Sequence, residues 1–291
     1  MNELIGKRYN LYEKLGNGKF GSVYKGKHYK NNTDVAIKFE NIQSNIKLLR
    51  HETTILKYLY ERDTRNIPAV CWFGTYRENT CLVMSLYDCS LYDYIITKEK
   101  LSISKINSII YQIVNILSSI HDNGVIHRDI KPQNIMVKAG ELYLIDFGFS
   151  TFFIDDEGEH VTDDCSEDII GSPKYVSYNV HSGSMASRRD DLISLGYLYL
   201  FLHERRLSWE NIEDDISIND EYNETNIYHS KNILRLEMKK LSNILLASDT
   251  LDTSLQNYLK YVYTLKYEEL PNYAAILKMF YTLAHLKRHK I

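Results

Sequence analysis

The residues best suited to chemistry in this chain of 291 residues lie in the run His127–Asn134, whose sequence is His-Arg-Asp-Ile-Lys-Pro-Gln-Asn. Its Asp129 can accept a proton from a hydroxyl group, and its Lys131 can stabilise the charge on a phosphate in transit. Asn134 and Asp146, the latter in the sequence Asp-Phe-Gly, can hold a divalent cation. These residue types at this spacing predict a site for phosphoryl transfer.

The run Gly16–Val23, with the sequence Gly-Asn-Gly-Lys-Phe-Gly-Ser-Val, predicts a loop that covers nucleotide phosphates, since glycine lets the backbone approach a phosphate closely. Dinucleotide-binding folds share the spacing of the glycines, but there a helix follows the last one. Here strand-forming residues flank the loop at 10–15 and 22–26, so we predict a β-hairpin. No Gly-Lys-Ser/Thr sequence follows, which disfavours a P-loop. We assign five residues of this hairpin to ATP binding: Leu15, Gly16, Gly18, Gly21 and Val23.

An apolar strand that carries one lysine predicts the next part of such a site. The sequence Val-Ala-Ile-Lys occupies positions 35–38, and a lysine in a nucleotide cleft contacts the α- and β-phosphates. Glu52, in a helix predicted over 46–60, is the expected counter-ion of Lys38. Both residues could instead be ordinary surface charges. The order of glycine loop, strand lysine, helix glutamate, His-Arg-Asp and Asp-Phe-Gly favours the ion pair, because five such signals rarely coincide. We therefore assign Ala36, Lys38 and Glu52 to ATP binding.

The length of the chain favours two lobes around one cleft over a single core. Because the motifs described above resemble those of protein kinases, we predict an α+β fold, the bilobal protein kinase fold, as one domain over residues 1–291. A small, β-rich N-lobe should end at about residue 85, and a mainly helical C-lobe should begin at about residue 88. Apolar residues at helical spacing predict a long helix over 102–121, with Ser102 as its N-cap, and a last helix over 273–286.

Composition disfavours several other classes of protein. The four cysteines (Cys71, Cys81, Cys89 and Cys165) form no Cys-x-x-Cys pair and no secretory leader opens the chain, which disfavours disulfides, structural zinc and secretion. No apolar run approaches the ~20 residues of a membrane span. Because the formal net charge is −3 at pH 7, we expect neither a nucleic-acid nor a membrane partner. We expect an intracellular monomer in the cytoplasm, the nucleus or both.

Two runs in the second half of the chain resemble motifs of the casein kinase one family of protein kinases. The run 171–179 reads Gly-Ser-Pro-Lys-Tyr-Val-Ser-Tyr-Asn, and the run 187–197 reads Ser-Arg-Arg-Asp-Asp-Leu-Ile-Ser-Leu-Gly-Tyr. The first is similar to the Gly-Thr-x-Arg-Tyr-Ala-Ser-Ile-Asn that replaces Ala-Pro-Glu in that family. The second is similar to its Ser-Arg-Arg-Asp-Asp-Leu-Glu-Ser-Leu-Gly. The vaccinia-related kinases are the nearest competing family, but their usual Asp-Tyr-Gly is absent here.

The resemblance implies a Ser/Thr protein kinase that binds ATP and Mg²⁺ and acts on protein substrates. Asp129 would orient the substrate hydroxyl and accept its proton, while Lys131 would stabilise the transferred phosphoryl group. Asn134 and Asp146 would hold magnesium. Ser172 would support Asp129 and Lys131 from the loop on the substrate side.

Further residues would have supporting roles. Asp191 would be structural and tie the start of its helix to the backbone of the catalytic loop. Met84 stands at the gatekeeper position, so Met84 to Leu86 would meet adenine. Arg128, also structural, stands where an activating phosphate could be held. A long regulatory tail is common in that family, whereas this chain stops soon after its last predicted helix, so we expect a compact, divergent member without such a tail.

The chain departs from the family in the charge of its activation segment. Thr151 and Glu167 replace basic residues, and acidic residues crowd positions 155–159 and 163–168. Two hypotheses follow. The segment selects substrates with basic flanks, or one of its carboxylates pairs with Arg128 in place of an activating phosphate. Alternatively, the segment is a mobile, solvated loop. A smaller departure is Asp88, where the family has glycine at the rim of the nucleotide site.

Two other functions remain open at this point. A catalytically impaired pseudokinase would keep the fold as a scaffold, although such proteins usually lose the strand lysine or one of the two aspartates, which are all present here. A small-molecule phosphotransferase would share the nucleotide site. It should lack the loop at 171–179 and the helix that contains Asp191.

Overall fold

A five-stranded antiparallel sheet forms the N-terminal part of the protein, in the order β1-β2-β3-β5-β4. The structure is a computed structural model that describes residues 4–18, 21–98, 100–164, 169–210, 224–246 and 251–281, with backbone only at 18 and 224–230. The strands of this sheet are β1 (Tyr9–Gly18), β2 (Gly21–His28), β3 (Asp34–Asn41), β4 (Val70–Tyr76) and β5 (Asn79–Ser85). Strands β1 and β2 form the predicted hairpin.

Alternation along β3 divides its side chains between two faces. Val35, Ile37 and Phe39 join a small core on one side of the sheet, whereas Ala36 belongs to the main core on the other. Helix α1 (Leu48–Glu61) packs on that second side and carries Glu52 on its buried face. It begins two residues later than predicted, because Lys47 has non-helical backbone angles and Ile46 is half exposed.

Helices dominate the C-terminal part of the chain. Their described bounds are α2 (Leu91–Ile96), α3 (Ile103–Asp122), α4 (Tyr178–His181), α5 (Arg188–Glu204), α6 (Glu224–Met238), α7 (Leu241–Leu246), α8 (Thr253–Val262) and α9 (Tyr273–Phe280). Short strands complete this part: β6 (Cys89–Ser90), β7 (Val125–Ile126), β8 (Ile135–Lys138), β9 (Glu141–Leu144) and β10 (Thr151–Phe152). The predicted α+β class is therefore confirmed.

The long helix α3 agrees with its prediction, and Ser102 caps it by accepting a hydrogen bond from the Lys105 backbone N–H at 3.3 Å. Helix α5 is buried continuously from Asp190 to His203, so it forms the centre of the helical part. Helix α9 ends at Phe280, where Tyr281 has an extended backbone, which corrects the prediction of a helix to Leu286. Residues 282–286 lie outside the described residues.

Three cysteines, Cys71, Cys81 and Cys89, are free thiols, whereas Cys165 lies outside the described part of the chain. Within the described ranges, no helix combines the length and apolar character needed to cross a membrane.

Candidate active site

Asp129 lies at the centre of the predicted site, and the residue is only 3% exposed. Lys131 Nζ donates to its Oδ2 at 2.6 Å, and Asn134 Nδ2 donates to the same atom at 2.9 Å. Ser172 donates to Oδ1 through its hydroxyl at 2.8 Å and its backbone N–H at 3.1 Å. Lys131 Nζ also donates to Ser172 Oγ at 2.9 Å. The structure thus brings together the four residues that were predicted to be catalytic.

Asp191 holds the backbone that presents this carboxylate. Its Oδ2 accepts from the His127 N–H at 2.7 Å, and its Oδ1 accepts from the Arg128 N–H at 2.8 Å. Arg128 has a left-handed backbone with φ of 68°, a conformation that costs energy and persists only when its surroundings enforce it. His121 Nε2 lies 3.0 Å from Oδ2 of Asp191. The interactions with His121 and His127 outweigh the effect of burial, so the pKa of Asp191 lies below its ordinary value.

Lys38 joins the sheet, helix α1 and Asp146. Its Nζ lies 2.7 Å from Oε2 of Glu52 and 2.7 Å from Oδ1 of Asp146. Burial would lower the pKa of Lys38, but its two carboxylate partners raise it above the ordinary value. Burial raises the pKa of Glu52, which Lys38 only partly offsets. In Asp146, which is less enclosed, the attraction to Lys38 outweighs burial and lowers the pKa.

A cleft of about 430 Å³ opens between the sheet and the catalytic loop, residues 127–134. It is lined by most of the residues that were assigned to the site: Leu15, Gly16, Gly21, Val23, Ala36, Lys38, Glu52, Met84, Leu86, Asp129, Lys131 and Asp146. Gly18 pairs with Gly21 at the tip of the hairpin. Residues 19 and 20, which complete that loop, lie outside the described residues.

A family model described as the protein kinase domain matches residues 9–281 of the chain. The chain belongs to the protein kinase family. Protein kinase domains are phosphotransferases that act on proteins and generally use ATP and Mg²⁺.

The kinase cleft has space for a nucleotide and oxygen atoms that could bind a metal ion. A Cβ atom at Gly16 would meet nothing within 4 Å, so the bare backbone there leaves space above the cleft. Asn134 uses its amide nitrogen for Asp129, and its amide oxygen is therefore the atom suited to a hard cation. Asp146 supplies a carboxylate, and apolar side chains such as Val23 and Met84 offer walls for a base. These residues fit Mg²⁺ and ATP.

Several of the residues that line the kinase cleft were not predicted from the sequence, and two of them lie close in sequence to the catalytic motifs. Met136 on β8 and Ile145, directly before Asp146, line the cavity opposite the sheet. Ile145 could have been predicted, because it directly precedes the Asp-Phe-Gly motif. Met136 could not, because its strand has only four residues, too few for the alternation of apolar and polar side chains to be recognised. Asp88, the departure at the rim, turns away from the cleft and accepts from the Ala139 N–H at 3.1 Å.

The acidic activation segment of the kinase is tied to the region before α5. Asp163 accepts from the Met185 N–H at 2.8 Å and from the Ser184 hydroxyl at 2.7 Å. Arg128 instead donates from Nε to the carbonyl oxygen of Phe149. Among the described residues, no carboxylate of this segment forms an ion pair with Arg128, so that hypothesis gains no support. Glu167, within 165–168, lies outside the described residues.

Proposed function

We propose that this kinase is catalytically active and transfers the γ-phosphoryl group of ATP to Ser and Thr hydroxyls of proteins, as a member similar to the casein kinase one family. The observation that carries the proposal is the Asp129 carboxylate, which accepts hydrogen bonds from Lys131, Asn134 and Ser172. We also propose that residues 1–291 form one domain, with an N-lobe at about 1–85 and a C-lobe at about 88–291.

In this mechanism the chain supplies position and charge rather than covalent chemistry. Asp129 Oδ1 or Oδ2 orients the substrate hydroxyl and takes up its proton. Lys131 and Lys38 place positive charge along the phosphates, which compensates negative charge as the phosphoryl group moves. Asn134 and Asp146 would hold magnesium, which would supply positive charge beside the phosphates.

The contact between Lys131 and Ser172 supports the assignment to Ser/Thr specificity. This specificity is accompanied, in the family that this chain resembles, by a lysine two residues after the catalytic aspartate. It is also accompanied by a serine or threonine in the substrate loop, residues 171–176. A pseudokinase scaffold is the alternative function. The direct contacts of Lys38 with Glu52 and Asp146 favour the active enzyme, because all three groups are present and within hydrogen-bond distance.

The test is transfer of labelled phosphate from ATP with Mg²⁺ to proteins in a lysate, with the modified sites mapped by mass spectrometry. We expect label on Ser and Thr, and a loss of at least about 100-fold in rate for Asp146→Asn, because a preorganised charge next to the phosphates is removed. A wild-type protein that binds ATP but transfers no phosphate would support the pseudokinase. Label on Tyr alone would contradict the proposed specificity.

We propose further that the preferred substrates carry basic residues near the phosphorylated hydroxyl. Exposed acidic side chains cover the activation segment: Asp155, Asp156, Glu157, Glu159, Asp163 and Asp164. Lys174, a cation of the substrate loop that could attract acidic peptides, forms an ion pair with Glu210. The surface offered to a substrate is therefore mainly negative, which favours positive partners.

Replacing Glu210 by Gln is expected to shift this preference toward acidic peptides. Glutamine can still accept from the Leu207 N–H, as Glu210 does at 3.2 Å, but it leaves the charge of Lys174 uncompensated. We expect kcat/KM to rise about two- to fivefold for a peptide with acidic flanks, since a partly exposed ion pair is worth up to about 1 kcal/mol. Glu61→Gln, at the exposed end of α1, is the matched control. An unchanged ratio between acidic and basic peptides would count against this role of Glu210.

A further inference from the structure

The side chain of Lys239, directly after α6, is completely buried next to the substrate loop. Its Nζ donates to the carbonyl oxygens of Pro173 at 2.8 Å and Val176 at 2.6 Å. A third acceptor, Nδ1 of His181, lies 3.0 Å away. Lysine is rarely buried completely without a paired charge, and here backbone carbonyl oxygens stand where a carboxylate would be expected.

The surroundings of Lys239 suit a hydrogen-bond donor. Its Nζ lies 5.1 Å from the ring centroid of Tyr197 and 5.5 Å from that of Trp209, positions that stabilise a cation. Burial, together with the charges of Lys239 and Arg235, lowers the pKa of His181 to about 3, so its ring is neutral near pH 7 and Nδ1 can accept. Burial and Arg235 also lower the pKa of Lys239 itself. Protonated or neutral, the amine keeps enough hydrogens for both carbonyl oxygens.

The substrate loop, residues 171–176, turns its carbonyl oxygens toward the helices. Lys239 binds those of Pro173 and Val176, and Trp209 Nε1 donates to that of Lys174 at 2.7 Å. With its carbonyl oxygens held inside, the loop presents the N–H and hydroxyl of Ser172 to Asp129 on the opposite side. The position of Ser172 therefore depends on what holds these carbonyl oxygens.

Lys239 is itself fixed by the core of the helical part. Its carbonyl oxygen accepts from the Tyr263 hydroxyl at 2.7 Å, and the Tyr263 hydroxyl lies 2.7 Å from that of Tyr197 on α5. The backbone and the side chain of Lys239 are thus both anchored. A rigid donor of this kind can hold a loop in one conformation.

We propose that Lys239 is a positioning residue for phosphoryl transfer, which holds the loop 171–176 so that Ser172 meets Asp129 and Lys131. The inference rests on the proposed function, because Ser172 matters for rate only if the protein is an active kinase. Lys239 would act through backbone carbonyl oxygens and would not itself touch the nucleotide or the substrate.

The first test compares Lys239→Met, which keeps an unbranched side chain as far as Cε but removes the amine donor, with Lys240→Met. Lys240 is exposed, next in sequence and paired with Glu237 at 2.6 Å, so it serves as the matched control. For Lys239→Met we expect kcat for a basic peptide to fall about 100-fold, as for a small misplacement of a catalytic group, and the Kd of MgATP to stay within about twofold. Lys240→Met should behave as wild type.

A double-mutant cycle separates positioning from a general loss of structure. If Lys239 acts through Ser172, adding Lys239→Met to Ser172→Ala should lower kcat no further than the larger of the two single effects. Multiplied losses would overturn the proposal, as would an unchanged kcat in Lys239→Met. A weaker Kd for MgATP in Lys239→Met would also overturn it, because the effect would then extend beyond the substrate loop.

Lys239→Gln takes the place of Lys239→Met if the latter does not fold. Its shorter amide keeps one donor group but cannot reproduce all three contacts of the Lys239 amine, so kcat should again fall while the Kd of MgATP stays within about twofold. Failure of both variants to bind MgATP would show that Lys239 supports the whole fold and would overturn a local role. Wild-type protein is assayed in parallel. If it transfers no phosphate, the proposed function fails, whereas an active wild type with additive variants contradicts only the role of Lys239.

Discussion

An Asp129→Asn variant is expected to keep its fold and lose about a thousandfold in kcat for protein phosphorylation. Asparagine can still accept hydrogen bonds from Ser172, but it cannot take up a proton from the substrate. Its amide hydrogens would also face the donors Lys131 and Asn134, which now both bind Oδ2. The measurement is the initial rate of phosphate transfer to a basic peptide at saturating MgATP.

The matched control for this prediction is Asp63→Asn, a change of the same type at an exposed residue after α1. Asp63 has a left-handed backbone, with φ of 58°, that asparagine also adopts readily. The control should transfer phosphate at the wild-type rate. If Asp129→Asn retained more than about a tenth of wild-type kcat, Asp129 would not be the proton acceptor of the mechanism proposed above.

Replacing Asp191 by Asn is expected to produce the largest loss of stability among the changes considered. The carboxylate accepts from two backbone N–H groups and lies beside His121, all in the interior. The amide oxygen of asparagine can accept from one of the two backbone N–H groups, but the amide nitrogen places its hydrogens against the other, which loses its acceptor. We expect the free energy of unfolding to fall by about 3 kcal/mol at pH 7, with a lower kcat because Arg128 loses its support. Urea unfolding followed by circular dichroism measures the change.

The pH dependence of this loss has a definite sign. The pKa of Asp191 is lower in the folded protein than its ordinary value, so its contribution is present above the unfolded pKa of about 4. That contribution disappears as the pH falls through the still lower folded pKa. The stability difference between wild type and Asp191→Asn should therefore shrink as the pH is lowered below about 4.

Asp190 provides an adjacent control with the opposite behaviour. It is also buried and accepts from the Ser177 hydroxyl at 2.6 Å, but burial outweighs its hydrogen bonds and raises its pKa. Its ionised form is thus less favoured in the folded protein, and the stability of wild type relative to Asp190→Asn should grow as the pH falls. If both variants changed in the same direction with pH, the hydrogen bonds assigned to Asp191 would not explain its role.

The parts of the site that could be predicted are those encoded in short runs. Lys38 and Glu52 each lie in one regular element with a clear apolar pattern, and Asp129, Lys131 and Asn134 fall within six residues of one another. The order of these runs along the chain was therefore enough to predict that these side chains lie close together in one site. The class of fold followed from the same order.

The contacts made by Glu210 and Lys239 could not be predicted in this way. Glu210 lies 36 residues from Lys174, and Lys239 lies 63 residues from Val176. A lysine at the end of a helix is typical of a solvated surface, and no periodic pattern reveals that carbonyl oxygens of a distant loop turn toward it. Both contacts depend on how the helices pack. The predicted start of α1 and the predicted end of α9 were wrong for a different reason. The backbone angles of single residues at the helix ends decide where each helix begins or stops, and the apolar pattern does not reveal them.

The position of Lys38 between two carboxylates has a thermodynamic consequence under the proposed function. A phosphate that draws the Lys38 ammonium toward itself weakens the 2.7 Å contact with Asp146 and leaves that carboxylate short of positive charge. Asp146 would then bind a divalent cation more strongly, and Lys38 would in turn be freed for the phosphate when Asp146 holds a cation. Under the proposed function, nucleotide and magnesium would therefore be linked ligands, each of which would increase the affinity for the other by the same factor.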